Sequence, residues 1–187
     1  MNGHLFACEY CLQFTDNQEY YLFHKKACTW KQPCGAQVYK KDQLAVFEID
    51  GQKQREYCEN LCSLSKLFLL TKRKQCEVDA FFFYVLTIED KSGKHLAGYF
   101  SKEKAPSLNN NVSCLLVLPH YQRKGLGRFL IDLSYLFSRI VKTAGTPERP
   151  LSERGLISYQ NYWKDVITKF IYDHITQDSI PIRGNIF

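Results

Sequence analysis

Four potential metal ligands near the N-terminus follow a spacing that is typical of zinc sites. Two residues separate Cys8 from Cys11, twelve residues separate Cys11 from His24, and three residues separate His24 from Cys28. A close cysteine pair fits a tight turn, and a His/Cys pair spaced i, i+4 shares one face of a helix. Four protein ligands leave no open coordination position, so the pattern predicts one structural zinc ion rather than a catalytic one.

A second group of residues that could do chemistry is a basic loop with two glycines. The loop consists of Gln122, Arg123, Lys124, Gly125, Leu126, Gly127 and Arg128. At a helix N-terminus such a loop directs backbone N–H groups outward, and its glycines let a pyrophosphate approach the chain closely. We interpret it as a phosphate cradle, with a plain tight turn as the alternative. It contains neither a Walker loop nor the complete Gly-x-Gly-x-x-Gly dinucleotide pattern.

Hydrophobic periodicity predicts the elements that must position these residues. Strand patterns cover residues 81–88, 95–100 and 112–118, and helical patterns cover residues 61–68, 129–141 and 159–171. Between Val38 and Tyr57 we expect an antiparallel meander in which the Asp50-Gly51 pair forms a hairpin turn. The amphipathic helix that begins near Phe129 can lie on the predicted sheet. The fold class is therefore α+β.

The composition indicates one folded domain of ordinary size. The 187 residues are 45% hydrophobic and 24% charged, which allows a buried core and excludes the disordered and collagen-like classes. There is no apolar stretch of about 18 residues and no signal-peptide pattern at the start, so we expect a soluble intracellular protein. Eight cysteines then indicate metal ligation or buried thiols. A net charge of +6 permits acidic partners without requiring them.

Together these motifs resemble the MYST family of histone acetyltransferases. The glycine loop is similar to the family's acetyl-CoA loop, and the Cys/His pattern is similar to its zinc finger. Further similar blocks cover residues 99–104, 111–119 and 146–163, in the family's order. The resemblance implies an acyl-CoA N-acyltransferase-like mixed sheet flanked by helices, with a C2HC zinc finger at residues 1–33 and the acetyltransferase domain at residues 34–187. Compared with the family, we expect the preceding hairpin and the C-terminal helical segment to be missing.

The resemblance also implies transfer of an acetyl group from acetyl-CoA to a lysine ε-amine in histone tails. Glu148 matches the family's general base, and Cys114 matches an active-site cysteine that is either a covalent acceptor or a structural wall. Lys72 matches the lysine that the family acetylates on itself. The implied acetyl-CoA contacts are Leu115, Leu116 and Val117 for the acetyl-pantetheine arm, Gln122 through Arg128 for the pyrophosphate, Ser152, and Asn161 in place of a second serine.

The chemistry of acetyl transfer agrees with the choice of Glu148. A lysine ammonium cannot attack a thioester until it loses a proton, so a carboxylate base is needed near the acceptor. Glu148 stands between Pro147 and Pro150, in a stiff loop suited to that role.

The resemblance further implies a nuclear protein that joins a multiprotein chromatin complex and does not read DNA sequence. Two alternatives stay open: a degenerate module that binds acetyl-CoA or chromatin without turnover, and a zinc-finger protein that binds nucleic acid.

Overall fold

The computed structural model describes residues 4–68, 77–106 and 108–175. In chain order its elements are β1 (Phe6–Ala7), β2 (Phe14–Thr15), α1 (Gln18–Ala27), β3 (Ala36–Lys41), β4 (Leu44–Asp50), α2 (Arg55–Lys66), β5 (Phe81–Glu89), β6 (Lys94–Glu103), β7 (Asn110–Val112), β8 (Cys114–Val117), α3 (Leu126–Ile140), β9 (Thr146–Pro147) and α4 (Glu153–Asp173). Short 3-10 turns at Val78–Ala80 and Pro119–Tyr121 precede β5 and the glycine loop. The predicted α+β class is confirmed.

The centre of the fold is an antiparallel sheet with the strand order β3-β4-β5-β6-β8. β5 pairs with β4 on one side and with β6 on the other, as its aromatic and β-branched sequence favours. Alternate residues of β5 belong to different cores: Phe83 and Val85 face one layer, whereas Tyr84 and Leu86 face the other. Both faces of the sheet are therefore covered.

Helices cover the two faces of the sheet and form a further layer. Helix α2 packs on one face through Tyr57, Cys58 and Leu61, which are almost fully buried. Helix α3 packs on the other face through Leu126, Leu130 and Leu133. Helix α4 then lies on α3, where Ile131, Tyr135, Tyr159 and Tyr162 form a third cluster. Among the described residues, no helix is both long enough and apolar enough to cross a membrane.

The expected mixed sheet needs a correction. The five-stranded sheet is antiparallel throughout, and in the described part of the chain parallel pairing occurs only between β7 and β9, which form a separate pair. Short turns connect β3 to β4 and β5 to β6, and such turns allow only antiparallel pairing. A parallel pair needs a long crossover, and α3 supplies it between β7 and β9.

The expected hairpin at Asp50-Gly51 is also wrong. Strand β4 ends at Asp50, and the following turn leads into α2 instead of a second strand. A Cβ atom at Gly51 would lie 1.9 Å from the carbonyl oxygen of Val78, so this glycine permits a close approach between backbone segments. The observed hairpin turn lies earlier, between β3 and β4, where Asp42 has a φ of 51°.

Candidate active site and metal centre

The four side chains of the predicted zinc site meet in one cluster. The Sγ atoms of Cys8 and Cys28 are 3.9 Å apart, and Cys11 Sγ lies 3.3 Å from His24 Nε2. All four ligand atoms lie within 4.8 Å of one another. Sulfur ligands of a tetrahedral zinc ion, with bonds of about 2.3 Å, are separated by about 3.8 Å. The spacing and the donor set therefore fit a four-coordinate zinc ion.

Local backbone structure explains why these ligands converge. The turn after Cys8 is closed by a hydrogen bond from Leu12 N–H to Cys8 O at 2.9 Å, and it brings Cys11 back toward Cys8. His24 lies on α1, and Cys28 caps the end of that helix with its N–H bonded to His24 O at 2.7 Å. The i, i+4 pair therefore shares one helical face, as the spacing predicts.

This metal-binding segment is joined closely to the main sheet. Leu12 is only 1% exposed and belongs to the core that α2 covers. His95 on β6 lies between two carboxylates, with Nδ1 at 2.6 Å from Glu9 Oε2 and Nε2 at 2.8 Å from Asp90 Oδ1. The hydrogen bond to Asp90, reinforced by Glu9, raises the pKa of His95 above its ordinary value. His95 therefore links the turn of Cys8 and Cys11 to the β5–β6 hairpin.

The glycine loop has the geometry expected of an anion cradle. Gly125 has a φ of +80° and immediately precedes α3, whose N-terminus has no side-chain cap. A Cβ atom at Gly125 would meet nothing within 4 Å, and one at Gly127 would meet only Val117 Cγ2 at 3.9 Å. Open space therefore lies beside uncapped helical N–H groups, so the loop fits the pyrophosphate of acetyl-CoA. Gln122 stabilises the loop by donating from Nε2 to Val117 O at 2.9 Å.

The basic residues of the loop differ in their surroundings. Arg123 and Lys124 are exposed, and Lys124 Nζ lies 5.5 Å from the centre of the Tyr121 ring. Arg128, in contrast, forms an ion pair with Asp165 on α4, and its guanidinium lies 5.4 Å from the centre of the Tyr162 ring. The first two are therefore free to face an anion, whereas Arg128 already joins α3 to α4.

Strand β8 carries the residues expected at the acetyl-pantetheine arm. Leu115 and Val117 contact the α3 side of the sheet, and Leu116 contacts the α2 side. β8 is the end strand, with β6 as its neighbour on one side. In an antiparallel strand, alternate residues direct their backbone N–H and C=O groups away from the paired side. That edge can offer the donors and acceptors that a pantetheine amide requires.

A break in the strand at Ser113 determines where Cys114 points. The N–H of Ser113 donates to Ser101 O at 2.8 Å, and Cys114 is also paired with Ser101, so two residues oppose one. Such a bulge turns the next side chain to the other face. Val112 accordingly faces α3, whereas Cys114 faces the α2 side, where its Sγ lies 3.5 Å from the hydroxyl of Tyr99.

Glu148 is tied to the same region through its backbone. Strand β9 runs parallel to β7, and the N–H of Glu148 donates to Val112 O at 2.8 Å. Val112 is two residues before Cys114, so the structure brings the predicted base beside the strand of the predicted active-site cysteine. The side chain of Glu148 is exposed. An acceptor lysine can therefore approach it from solvent.

The remaining predicted site residues lie on α4 or outside the described residues. Ser152 is the N-cap of α4 and accepts a hydrogen bond from Gly155 N–H at 3.1 Å. Asn161 is exposed on the same helix. Lys72, the predicted self-acetylated lysine, lies outside the residues that the structure describes. Ser152 therefore has a structural role in starting α4, whatever else it contacts.

Sequence reasoning missed several residues that hold the site together. Tyr99 lies on a predicted strand, but its contact with Cys114 depends on the bulge at Ser113, and the single strand pattern over residues 112–118 did not indicate that bulge. Asp165 was one of many charged residues on a helix, and only the packing of α4 on α3 reveals its pairing with Arg128. Asn111 is a buried amide beside the strand of Glu148, and its burial of 99% could not be read from a polar loop sequence.

The fold and the site together define a class, namely α+β domains that combine a cluster of four Cys/His side chains that could hold a metal ion with an open glycine loop before a helix. The MOZ/SAS family model matches residues 32–185, and the chain belongs to that family. Residues 1–31 lie outside this match.

Sequence relatives agree with the family assignment. The chain is 49% identical over 170 residues to histone acetyltransferase KAT6B of Homo sapiens, covering 91% of this chain and 8% of that protein. It is 48% identical over 179 residues to histone acetyltransferase KAT6A of Mus musculus, covering 96% of this chain and 9% of that protein. It is 45% identical over 174 residues to histone acetyltransferase ESA1 of Gibberella zeae, covering 93% of this chain and 35% of that protein. The resemblance to MYST histone acetyltransferases is confirmed. The chain spans under a tenth of these two KAT6 proteins and about a third of ESA1.

Proposed function

We propose that this chain is a histone acetyltransferase domain that transfers an acetyl group from acetyl-CoA to lysine ε-amines of histone tails. The observation that carries the proposal is the arrangement around β8. At the start of this strand, Cys114 lies next to the segment that pairs with the backbone of Glu148. Beyond its end lies the open loop of Gly125 and Gly127. In this proposal one strand would connect the base to the loop that binds the pyrophosphate of acetyl-CoA.

Residues along this path would hold acetyl-CoA. The glycine loop, with Arg123 and Lys124 beside it, would bind the pyrophosphate through backbone N–H groups and positive charge. The free edge of β8, from Leu115 through Leu116 to Val117, would bind the pantetheine amides. Gln122, Leu126, Arg128, Ser152 and Asn161 are the further proposed contacts. When bound, acetyl-CoA supplies an activated thioester.

Glu148 would act as the general base. Its carboxylate takes one proton from the ammonium of the acceptor lysine, and the neutral nitrogen then attacks the thioester carbonyl. The C–S bond breaks as the new C–N bond forms, the second proton of the nitrogen passes to the leaving sulfur, and the products are the amide and CoA thiol. Cys114 would form a wall of the acetyl pocket, because its thiol is buried against Tyr99 and directed toward the core on the α2 side. The likeness to acyl-CoA N-acyltransferases, with a sheet that positions the thioester, is part of this proposal.

The zinc ion would be structural. Cys8, Cys11, His24 and Cys28 use all four coordination positions, so residues 1–33 would form the zinc finger and residues 34–187 the acetyltransferase domain of one unit. Further parts of the proposal are location in the nucleus, membership of a multiprotein chromatin complex, and self-acetylation of Lys72. The aromatic and core contacts of the finger support packing rather than sequence-specific DNA reading.

A transfer assay tests the proposed activity. Purified protein is incubated with radiolabelled acetyl-CoA and mixed core histones, and label on each histone is measured with the wild type and the Glu148→Gln variant. We expect label on histone from the wild type and strongly reduced label from the variant. Calorimetric binding of acetyl-CoA without transfer would favour the degenerate module. If the protein neither binds acetyl-CoA nor transfers acetyl groups, but binds duplex DNA with a steeply salt-dependent affinity, the nucleic-acid binder is favoured.

A further inference from the structure

The segment that carries Glu148 has few attachments of its own. Strand β9 contains two residues, and Glu148, Arg149 and Pro150 after it are all exposed. Its position is determined by the parallel pairing with β7 and by the hydrogen bond from Glu148 N–H to Val112 O. Anything that fixes β7 and the residues before β9 therefore also fixes the base.

Asn111, in the middle of β7, is an unusual core residue. It is 1% exposed, and its Nδ2 donates to Ser134 Oγ on α3 at 3.4 Å. Ser134 uses its own proton to bond Ile131 O at 2.7 Å, so its oxygen is available as the acceptor. The Oδ1 atom of Asn111 is buried and has no hydrogen-bond partner among the described residues. A buried amide with one unpaired end lowers the stability of the fold. We therefore look for the benefit of Asn111 in the segments that it holds in place.

The chain before β9 lies directly on this amide. A Cβ atom at Gly145 would be 2.7 Å from Asn111 Cβ and 2.5 Å from Ser138 Oγ, closer than normal contact. Thr143 N–H also donates to Ser138 O at 3.0 Å, which attaches the segment to the end of α3. Asn111 therefore lies between α3 and the segment that leads to Glu148, three residues after Gly145.

We propose that Asn111 is a positioning residue for Glu148, holding the segment before β9 between β7 and α3 so that the carboxylate meets the acceptor lysine. This inference rests on the proposed function, in which Glu148 is the base. It differs from a general packing role because it predicts that the loss of Asn111 acts on turnover only through Glu148. The contacts of Asn111 described above are with Ser134 and with the chain at Gly145, and neither residue is among the proposed acetyl-CoA contacts, so cofactor affinity is expected to stay unchanged.

Two variants test the contact from its two sides. Asn111→Ala removes the amide, and Gly145→Ala leaves the amide in place but adds a Cβ atom that pushes the segment away. We expect each variant to lower kcat by roughly tenfold to a hundredfold with the KM for acetyl-CoA unchanged, because a displacement of about 1 Å has effects of this size. The control is Thr87→Val, which removes a buried hydrogen bond to Ala45 O elsewhere in the sheet and should leave kcat unchanged.

A double-mutant cycle decides whether the effect passes through Glu148. In the Glu148→Gln background the base is already lost, so Asn111→Ala should reduce kcat no further. If the two losses multiply, Asn111 does not act through Glu148, and the inference is overturned while the base assignment stands. If Glu148→Gln alone keeps the wild-type turnover, the base assignment fails, and with it this inference.

Amide hydrogen exchange gives a readout that needs no activity. We expect the N–H groups of Glu148 and of residues 143–146 to exchange at least tenfold faster in Asn111→Ala and Gly145→Ala than in the wild type or in Thr87→Val. Unchanged exchange in both variants would overturn the inference, whether or not the protein turns over. If exchange is faster in both variants but the wild type transfers no acetyl group, the packing contact of Asn111 is supported. The proposed function, and with it the positioning of a base, is then rejected.

Discussion

The hydroxyl of Tyr99 lies 3.5 Å from the sulfur of Cys114, and both groups are buried. Burial raises the pKa of Tyr99 well above its ordinary value, because an apolar environment disfavours the phenolate. The sulfur of Cys114 therefore lies within hydrogen-bond distance of a buried phenol, inside the core that α2 covers. This environment differs from the electropositive, partly exposed sites in which cysteine nucleophiles are activated.

Replacing Cys114 is accordingly expected to have a modest effect. If the lysine attacks the thioester directly, Cys114→Ala removes only a wall of the pocket, and kcat should fall by less than about tenfold. The measurement is steady-state acetyl transfer at saturating acetyl-CoA. Near-complete loss of turnover, together with an acetylated Cys114 detected by mass spectrometry in the wild type, would contradict direct attack.

Replacing Glu148 is expected to remove the base while leaving cofactor binding intact. Glu148→Gln keeps the size of the side chain but not its basicity, so kcat should fall by roughly 10²–10⁴ at neutral pH. Turnover should partly recover at higher pH, where more of the acceptor lysine is already neutral. The control is Glu153→Gln, an exposed carboxylate in the first turn of α4. If Glu148→Gln has the same turnover as the wild type at every pH measured, the assignment of Glu148 as the base is rejected.

The glycine loop can be tested by filling its open space. Gly127 is the better position, since Gly125 has a positive φ and its replacement would also strain the backbone. Gly127→Val should weaken acetyl-CoA binding by roughly tenfold, or about 1.4 kcal/mol, measured by calorimetry. Gly127→Ala is the matched control: it should raise helix stability and weaken binding less. Equal affinity in Gly127→Val and the wild type would mean that the pyrophosphate binds elsewhere.

The metal centre can be tested by removing one ligand. Cys11→Ala should abolish stoichiometric zinc in metal analysis and lower the melting temperature by at least about 5 °C, because 1 kcal/mol corresponds to about 2–4 °C in a chain of this size. Cys34→Ala is the control, since Cys34 is a half-buried thiol outside the cluster whose pKa is raised by burial to about 11. A Cys11→Ala protein that keeps its zinc would contradict the assignment.

His95 predicts a pH dependence of stability. Its pKa is raised in the folded state, mainly by Asp90, so its stabilising contribution is fully present below its unfolded pKa of about 6.5. The contribution is lost as pH rises through the folded pKa. Chemical denaturation between pH 6 and 9 should therefore show the difference between wild type and His95→Gln shrinking as pH increases. If the difference in stability between the wild type and His95→Gln stays constant over this range, the raised pKa of His95 is contradicted.

Local patterns in the sequence predicted much of the fold. The strand at Phe81 to Ile88 and the amphipathic helix after the glycine loop depend on periodicity within a short window, and both are present. The convergence of the four Cys/His side chains also depends on local spacing. These predictions succeed because a turn and one helix determine the geometry without distant residues.

Features that depend on distant partners could not be predicted. The bulge at Ser113 exists because two residues meet Ser101 of another strand, and the local sequence looks like one uninterrupted strand over residues 112–118. The Asp50-Gly51 pair has the composition of a hairpin turn, but its glycine instead accommodates the backbone at Val78. The partner of Arg128 is 37 residues away on α4. Each case depends on tertiary packing, which cannot be predicted from the propensities of residues that are close in sequence.

If the Cys/His cluster binds zinc as proposed, the burial of Leu12 in the main core makes the stability of the sheet depend on the concentration of free metal. Leu12 directly follows Cys11, so unfolding the metal-binding turn also opens the core that α2 covers. A zinc ion that binds only the folded form enters the unfolding equilibrium by mass action. Above the dissociation constant, each tenfold change in free zinc then changes the free energy of unfolding of the whole sheet by about 1.4 kcal/mol.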